Sequence, residues 1–195
     1  ETLGADFYAL SAHKCCGPTG VGVLFGRREL LEALPPWQGG GDMIDRVSFS
    51  GTTFNELPWK FEAGTPNIAD TIAFAVALDY LESIDFDAAM AHEEELHRSL
   101  IRGMQARDKI HVLGHPARRV SVCSFNVQGA HPTDVGTLMD QLGVAVRTGH
   151  HCAMPTMEHF GLPGTVRASL AFYNTQAEIQ QFFDALDRVT DMLTG

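Results

Sequence analysis

The sequence lacks three features, each of which would have indicated a broad class of protein. No uninterrupted apolar run approaches the roughly 20 residues that a membrane-spanning helix needs, so we expect a protein without a membrane span. Positive charge is in deficit, with 14 Lys and Arg against 24 Asp and Glu, and the net charge is −10. Proteins that bind duplex nucleic acid usually present a basic surface, and this balance argues against that class.

Cysteine is scarce, and its spacing excludes the common cysteine frameworks. The four cysteines are Cys15, Cys16, Cys123 and Cys152, with no CxxC pair and no secreted-type pattern. The adjacent Cys15 and Cys16 could pair only in a strained vicinal disulfide. We therefore expect free thiols in a reducing compartment, the cytoplasm. Cys123 lies in the apolar run VSVCSFNV and is predicted to be a small buried hydrophobic residue.

The first part of the chain shows strand and turn signals followed by one apolar helix. Residues 5–10 are predicted to form a buried strand and residues 21–26 a second strand. RRELLEALPP predicts a short helix that prolines stop, and residues 37–67 show no clear periodicity. The run IADTIAFAVALDYLESI, residues 68–84, is apolar on nearly every side. It predicts a helix that is buried on most faces and bridges two domains.

The remainder of the chain shows compact amphipathic units. AHEEELHRSLIRGMQA places Leu96, Leu100 and Met104 on one stripe, and HPTDVGTLMDQLG has proline near its start and glycine at its end. Thr175 and Glu178 have the spacing of a capping box. Strand candidates are IHVL, VSVCSFNV, VAVR and TVRASLAFY. The fold class is α/β, with residues 1–67 as the end of one domain, residues 68–84 as a bridging helix and residues 85–195 as a small α/β domain. Because the chain begins with Glu1 and leads almost directly into a strand, we expect a piece of a longer protein.

The stretch SAHKCCGPTG holds an isolated lysine at the point where a strand gives way to a turn. Lys14 has small, polar or thiol-bearing neighbours and no other charge nearby. Strand-to-turn junctions are common sites of chemistry in α/β proteins. Lys14 is therefore a candidate functional residue.

A second candidate site is the stretch VRTGHHCAMP. Arg147, His150, His151 and Cys152 lie within six positions, and cations near a cysteine favour its nucleophilic thiolate form. Arg167, on the next strand candidate, has the fork geometry that binds a carboxylate. The alternative is an exposed loop beside a structural pair of arginines.

Two rival chemistries use the same residues. Six residues are of zinc-ligand type, namely His13, Cys15, Cys16, His150, His151 and Cys152. Consecutive residues rarely all face one ion, and neither a CxxC nor an HxxxH spacing occurs, so we expect no metal site. A Cys–His hydrolase is the other rival, but it would leave Lys14 without a role.

Four motifs, taken in order, resemble those of a known family. SAHK followed by GPTG resembles the Schiff-base lysine segment of the pyridoxal-phosphate (PLP) enzymes of fold type I, aminotransferase class V. PPWQGGGDMI, FEAGTPN and RTGHHCAMP resemble the SufS-type (group II) cysteine desulfurases, also called selenocysteine lyases. The resemblance covers essentially all 195 residues and corresponds to about the C-terminal half of that family's chain. Cys15 stands where the family usually has a larger apolar residue.

The resemblance implies a PLP site in the first domain, which would be the end of a PLP-binding large domain. Lys14 would carry the cofactor covalently, and Ser11 and His13 would donate to its phosphate. In an extended segment Ser11 and His13 share one side, as this role requires. Thr65 would contact the phosphate from the neighbouring subunit of a homodimer.

The resemblance also implies the reaction. Cys152 would take sulfur from cysteine as a persulfide, leaving alanine, and PLP would act as the electron sink. Arg167 would hold the substrate carboxylate, with Arg147 a weaker candidate near the same site. A sulfur-acceptor protein and a role in iron–sulfur cluster assembly would follow. Whether cysteine or selenocysteine is the natural substrate stays open.

The alternative is a non-catalytic remnant of the fold. The family's ring-stacking histidine, and the aspartate beside its pyridine nitrogen, would lie before Glu1. We therefore expect the chain alone to be inactive, to bind PLP weakly or not at all, and to self-associate through exposed apolar surface. The small domain should still fold.

Overall fold

The computed structural model describes residues 3–114, 116 and 119–195. By their internal contacts these residues form two compact units, Glu1–Ile84 and Asp85–Gly195. The helix that follows Asn67 belongs to the first unit, and its bridging role stays a prediction. Among the described residues, no helix combines the length and apolarity needed to cross a membrane.

The first unit consists of two antiparallel hairpins and two helices. Its elements are β1 (Phe7–Ser11), β2 (Gly22–Gly26), α1 (Arg28–Ala33), β3 (Ile44–Ser48), β4 (Gly51–Phe54) and α2 (Ile68–Glu82), with 3₁₀ turns at Ala12–Lys14 and Trp59–Phe61. β1 pairs with β2, and β3 pairs with β4. The two predicted strands and the helix that ends before the prolines are confirmed.

Residues 37–67, which show no clear periodicity in the sequence, nevertheless contain regular elements. β3 and β4 form a hairpin in which Ser48 pairs with Gly51, so that Phe49 and Ser50 make a two-residue turn. Most of the hairpin's residues are exposed on both faces. Because neither face packs on a core, the sequence shows no alternation of apolar and polar residues that would have revealed the strands.

Burial in the first unit is lower than predicted. β1 was predicted to be a buried strand, yet Phe7 and Tyr8 are 43% and 49% exposed. α2 was predicted to be buried on most faces, yet along it only Phe74 and Ala77 are buried. The small core of this unit contains Ala12 with Phe74 and Ala77. Two-stranded sheets offer few partners for apolar side chains, so much of the apolar surface here stays uncovered.

The second unit is an antiparallel four-stranded sheet with helices packed on it. Its elements are α3 (Phe86–Gln105), β5 (Ile110–Val112), β6 (Val122–Val127), α4 (Pro132–Gln141), β7 (Arg147–Gly149), α5 (Met154–Phe160), β8 (Thr165–Ser169) and α6 (Gln176–Thr194). The strand order is β5-β6-β8-β7. Both units together give the predicted α/β class.

Alternation along β6 and β8 divides the sheet into an apolar face and a polar face. Cys123, Phe125 and Val127 are buried in one core cluster with residues of α3, α4 and α6. Ser124 and Arg167 are register partners on the opposite, polar face. The helical core therefore fixes the sheet from one side and leaves the polar face for the candidate site.

Most of the helix predictions for this unit are confirmed. Leu96, Leu100 and Met104 are buried, and the capping box at Thr175 and Glu178 is formed. The VAVR strand is misplaced, since β7 begins only at its arginine. Helix α5 was not predicted, because its seven residues are too few to show a helical period.

Candidate functional site

Backbone hydrogen bonds fix the turn that carries Lys14. The N–H of Ala12 donates to the carbonyl of Val21 at 3.1 Å, and the N–H groups of Cys15 and Gly17 donate to the carbonyl of Ala12 at 2.8 and 2.9 Å. A Cβ on Gly17 would lie 2.9 Å from both the Ala12 oxygen and a ring carbon of Phe74. There is therefore no room for a side chain at position 17. Phe74 belongs to helix α2, so α2 packs against the turn.

The shape of this turn corrects the expected arrangement of the phosphate donors. Residues Ala12–Lys14 form a 3₁₀ turn and are not extended. Ser11 ends β1 with an extended backbone (φ −114°, ψ 131°), whereas His13 and Lys14 lie in the turn itself. The alternation of an extended segment therefore does not place Ser11 and His13 on one side. His13 and Lys14 are exposed and Ser11 is half-buried. Within the described residues their side chains form no hydrogen bond with protein.

Asn67 links the GTPN loop to the lysine turn. Its Oδ1 accepts from the N–H of Asp70 at 3.3 Å as the N-cap of α2, and its Nδ2 donates to the Gly20 carbonyl at 3.4 Å. The Gly64 N–H donates to the Gly41 carbonyl at 2.9 Å, so the GGG stretch supports the same loop. Thr65 lies exposed between these anchors. Asn67 was missed as a site residue, although an asparagine before an apolar helix is an N-cap signal.

In the second unit the candidate residues lie at the adjoining ends of β7 and β8. Arg147 pairs in register with Arg167, and Gly149 with Thr165. A Cβ on Gly164 would lie 2.9–3.0 Å from the backbone of Gly149. The backbone segments at Gly149 and Gly164 therefore pack directly against each other, with no room for a side chain between them. Like charges directly opposite one another destabilise a sheet, and the arginine pair therefore favours an anion at this place.

Cys152 lies in a tight loop directly after β7. His151 and Cys152 have φ angles of 54° and 58°, in the left-handed region that few residues other than glycine adopt. The Cys152 N–H donates to His150 Nδ1 at 3.2 Å, and the Cys152 side chain is exposed. Arg147 Nη2 lies 3.9 Å from Cys152 Sγ and donates to it. The predicted proximity of a cation to this thiol is therefore present.

His151 faces away from the thiol, towards the sheet. Its Nε2 lies 2.8 Å from Thr165 Oγ1 and 3.2 Å from the Thr165 carbonyl oxygen. Burial, and then the positive charge of Arg167, lower the pKa of His151 from its usual value. Thr165 was missed by the sequence analysis, because a threonine in a strand gives no signal of the cross-strand contact it makes.

Three buried polar atoms on or beside the polar face lack a hydrogen-bond partner within the described residues. They are Arg167 Nε, His151 Nδ1 and Asn126 Oδ1. Buried polar atoms are rarely left unpaired in folded proteins. The unpaired Arg167 Nε leaves a donor available at the place predicted for the substrate carboxylate.

The structure separates the candidate residues into two sets, one in each unit. Ser11, His13, Lys14 and Thr65 belong to the first unit, and Arg147, Cys152 and Arg167 to the second. Within the described part of the chain, no group of three or more metal-ligand side chains could hold an ion. Cys123 is 2% exposed, as predicted, and burial raises the pKa of its thiol to about 11.

Comparison with known proteins shows similarity along nearly the whole chain. The family model for aminotransferase class-V matches residues 1–182. A probable cysteine desulfurase of Vibrio cholerae is 49% identical over 193 residues, which cover 99% of this chain and 48% of the relative. A cysteine desulfurase of Dickeya dadantii is 46% identical over 194 residues, 99% of this chain and 47% of the relative. The chain thus spans about half the length of these relatives, and which half it represents stays a prediction.

Solved structures of cysteine desulfurases are similar to this chain as well. The cysteine desulfurase CsdA of Escherichia coli, in an S-sulfonic acid form, matches with a TM-score of 0.94 at 40% identity, covering 99% of this chain and 48% of that structure. An apo cysteine desulfurase of Thermococcus onnurineus matches with a TM-score of 0.92 at 38% identity, covering 98% and 48%. The α/β architecture predicted from the sequence is therefore that of known cysteine desulfurases. Family match, relatives and fold agree, and the chain belongs to the aminotransferase class-V family.

Proposed function

We propose that this chain carries the lysine and the cysteine of a PLP-dependent cysteine desulfurase. The observation that supports this function best is the position of Cys152, exposed in a left-handed loop with Arg147 Nη2 at 3.9 Å from its sulfur. A charged donor thus contacts an accessible sulfur, the atom that would act as the nucleophile. The relatives from Vibrio cholerae and Dickeya dadantii are named a probable cysteine desulfurase and a cysteine desulfurase, in agreement with this chemistry.

The proposed reaction moves one sulfur atom from the substrate to Cys152. The Cys152 sulfur attacks the sulfur of free cysteine, the new S–S bond forms, and the bond between that sulfur and the substrate Cβ breaks. The substrate Cβ gains a proton, so cysteine and a thiol become alanine and a persulfide with no outside oxidant or reductant. Lys14 Nζ moves the proton at the substrate Cα.

The residues of the lysine turn fit PLP. Ser11 and His13 offer donors without a protein partner among the described residues, as a phosphate requires, and the exposed Lys14 offers an amine for the cofactor's aldehyde. Backbone hydrogen bonds hold the turn from which these side chains extend. PLP bound there would supply the electron sink that makes the Cα proton labile.

Arg167 is proposed to bind the substrate carboxylate. Its Nε is buried and unpaired within the described residues, and the opposing Arg147 adds to the positive charge. A guanidinium binds a carboxylate through two parallel hydrogen bonds, which fixes the amino acid as well as holding it. Arg147 is assigned mainly to the thiol, because it contacts Cys152.

Further partners follow from the same proposal. Thr65 would reach the cofactor phosphate of a second copy of the chain, which makes the enzyme a homodimer. A persulfide on an exposed cysteine would pass to an acceptor protein, for instance for iron–sulfur cluster assembly, in a reducing cytoplasm. Cysteine and selenocysteine carry the same amine and carboxylate, and both fit.

The test is to map the persulfide in the full-length protein. Cys152→Ser should lose persulfide formation and alanine release from cysteine while PLP remains bound, because the sulfur acceptor is gone. Cys123→Ala is the matched control and should keep both, since its thiol is buried in the core and has a raised pKa. Continued desulfuration of cysteine by Cys152→Ser would reject the assignment. A full-length protein in which no cysteine gains sulfur would favour the non-catalytic remnant.

A further inference from the structure

The loop that carries Cys152 has an unfavourable backbone conformation, which contacts with the rest of the domain must stabilise. His151 and Cys152 are consecutive residues with φ angles of 54° and 58°. A side chain with a Cβ adopts this region only when surrounding contacts determine it, and such residues cluster at functional sites. The contacts that hold these two residues therefore also set the direction of the Cys152 sulfur.

Thr165 is a firm anchor for this loop. It is fully buried at the start of β8, and it pairs in register with Gly149 at the end of β7. The neighbouring Gly164 approaches the Gly149 backbone so closely that a Cβ would not fit. The hydroxyl of Thr165 consequently has a fixed position relative to the residue from which the Cys152 loop departs.

His151 connects the loop to this anchor. Its Nε2 lies 2.8 Å from Thr165 Oγ1 and 3.2 Å from the Thr165 carbonyl oxygen. We propose that His151 and Thr165 are positioning residues whose contact holds Cys152 Sγ beside Arg147 and thereby sets the rate of sulfur transfer. This inference rests on the proposed function, in which Cys152 is the sulfur acceptor.

The surroundings of His151 favour a neutral imidazole ring with a structural role. Nδ1 is buried and without a partner within the described residues, so a second proton would leave an unpaired buried N–H group. Arg167, Arg147 and His150 would also repel the added charge, in line with the lowered pKa of the ring. Since Nε2 already contacts Thr165, the ring positions the Cys152 loop and does not transfer a proton to the thiol.

The experiment separates the Thr165 hydroxyl from the shape of its side chain in the full-length, PLP-loaded enzyme. Thr165→Val removes the hydroxyl, and Thr165→Ser keeps it. Thr190→Val is the matched control, because the Thr190 hydroxyl is buried and has no partner within the described residues. His151→Asn removes the reach to Thr165 but keeps a residue type that tolerates a left-handed backbone.

Two rates are measured for each variant, persulfide formation on Cys152 in a single turnover and alkylation of Cys152 by iodoacetamide without cysteine. Misplacing a reacting group by about 1 Å costs up to about 100-fold. We expect Thr165→Val and His151→Asn to slow persulfide formation at least about tenfold and to change the alkylation rate. Thr165→Ser should restore persulfide formation, and PLP absorbance should stay unchanged in every variant.

Three results would overturn the inference: parental rates in both Thr165→Val and His151→Asn, equal slowing by Thr165→Ser and Thr165→Val, or slowing by Thr190→Val to the same extent. If Thr165→Val does not fold, His151→Asn decides. Cys152→Ser is run beside them. Loss of sulfur transfer in Cys152→Ser with parental rates in the positioning variants would reject this inference alone, whereas transfer that persists in Cys152→Ser would reject the proposed function.

Discussion

The unit that carries Lys14 and the unit that carries Cys152 differ in the size of their hydrophobic cores. The second unit has one contiguous core cluster of buried residues drawn from the sheet and from α3, α4 and α6. In the first unit the cluster consists of three buried residues, Ala12, Phe74 and Ala77, while large apolar side chains such as Phe25, Ile72 and Trp37 are 58%, 65% and 85% exposed. The chemistry of the second unit therefore rests on a core of its own, and that of the first does not.

The two candidate sites differ in the same way. In the second unit the contacts of Cys152 and His151 come from the same compact domain, through Arg147 and Thr165. In the first unit the backbone of the lysine turn is held, but the side chains of Ser11 and Lys14 have no hydrogen-bond partner within the described residues. A thiol site can thus be built by one small domain, whereas the lysine site needs ligands that a cofactor or further protein supplies.

Separating the units should give the largest effect. Residues 85–195 expressed alone should unfold in a single cooperative transition, because their core is complete in itself. Residues 1–84 alone should show no such transition and should self-associate through their exposed apolar surface. Circular dichroism during heating and sedimentation velocity make the comparison.

A monomeric first unit that melts cooperatively would break the contrast between the units. Replacing exposed Phe25 by Ser gives a control within the first unit. If the exposed apolar surface drives association, this change should reduce the sedimentation coefficient without creating a transition.

Removing one polar side chain from each of the two sites should have effects of intermediate size, and these effects should differ between the sites. In the full-length enzyme Arg167→Ala should raise the KM for cysteine by about 10- to 150-fold, the equivalent of about 1.5–3 kcal/mol for a charge-assisted hydrogen bond, and leave PLP bound. Ser11→Ala should instead weaken PLP binding by about 2- to 12-fold, because one neutral donor to the phosphate is lost. Steady-state kinetics and PLP titration separate the two effects.

Arg147→Ala is the matched variant for the arginine pair. We expect it to slow sulfur transfer more than it raises KM, since Arg147 contacts the thiol. An unchanged KM in Arg167→Ala, together with a raised KM in Arg147→Ala, would show that Arg147 binds the substrate carboxylate in place of Arg167.

The smallest effect expected is a loss of stability of the second unit in mild acid. Burial is the main cause that lowers the pKa of both His97 and His151 below the usual value of 6.5. The unfolded chain therefore binds more protons than the folded one just below pH 6.5, and stability falls as the pH drops from 6.5 to the folded-state pKa values. Above pH 6.5 this contribution is fully present.

Thermal melts of residues 85–195 between pH 7.5 and pH 5 measure this dependence. His97→Gln keeps a donor for the Val122 carbonyl that His97 contacts at 3.3 Å and removes one titrating ring. Its melting temperature should vary less with pH than that of the parent. A parent whose stability is constant from pH 7 to pH 5 would contradict the prediction.

The sequence by itself determined the elements whose signals are local or periodic. Leu96, Leu100 and Met104 recur at helical spacing and are buried, and Thr175 and Glu178 form the predicted capping box. Such signals suffice because a helix satisfies its backbone within one segment and needs only one apolar stripe to pack. The motifs around Lys14 and Cys152 likewise indicated the family, since their residue types and order carry the chemistry.

Only the tertiary structure decided what depends on partners distant in the chain. The apolar faces of β1 and α2 looked buried, yet they are largely exposed, because burial requires a second surface that composition does not reveal. The turn at Lys14 is anchored by the bond from the Ala12 N–H to the Val21 carbonyl, and the support of Cys152 depends on the pairing of β7 with β8. Thr165 reaches His151 across 14 residues, and that distance closes only when the sheet forms.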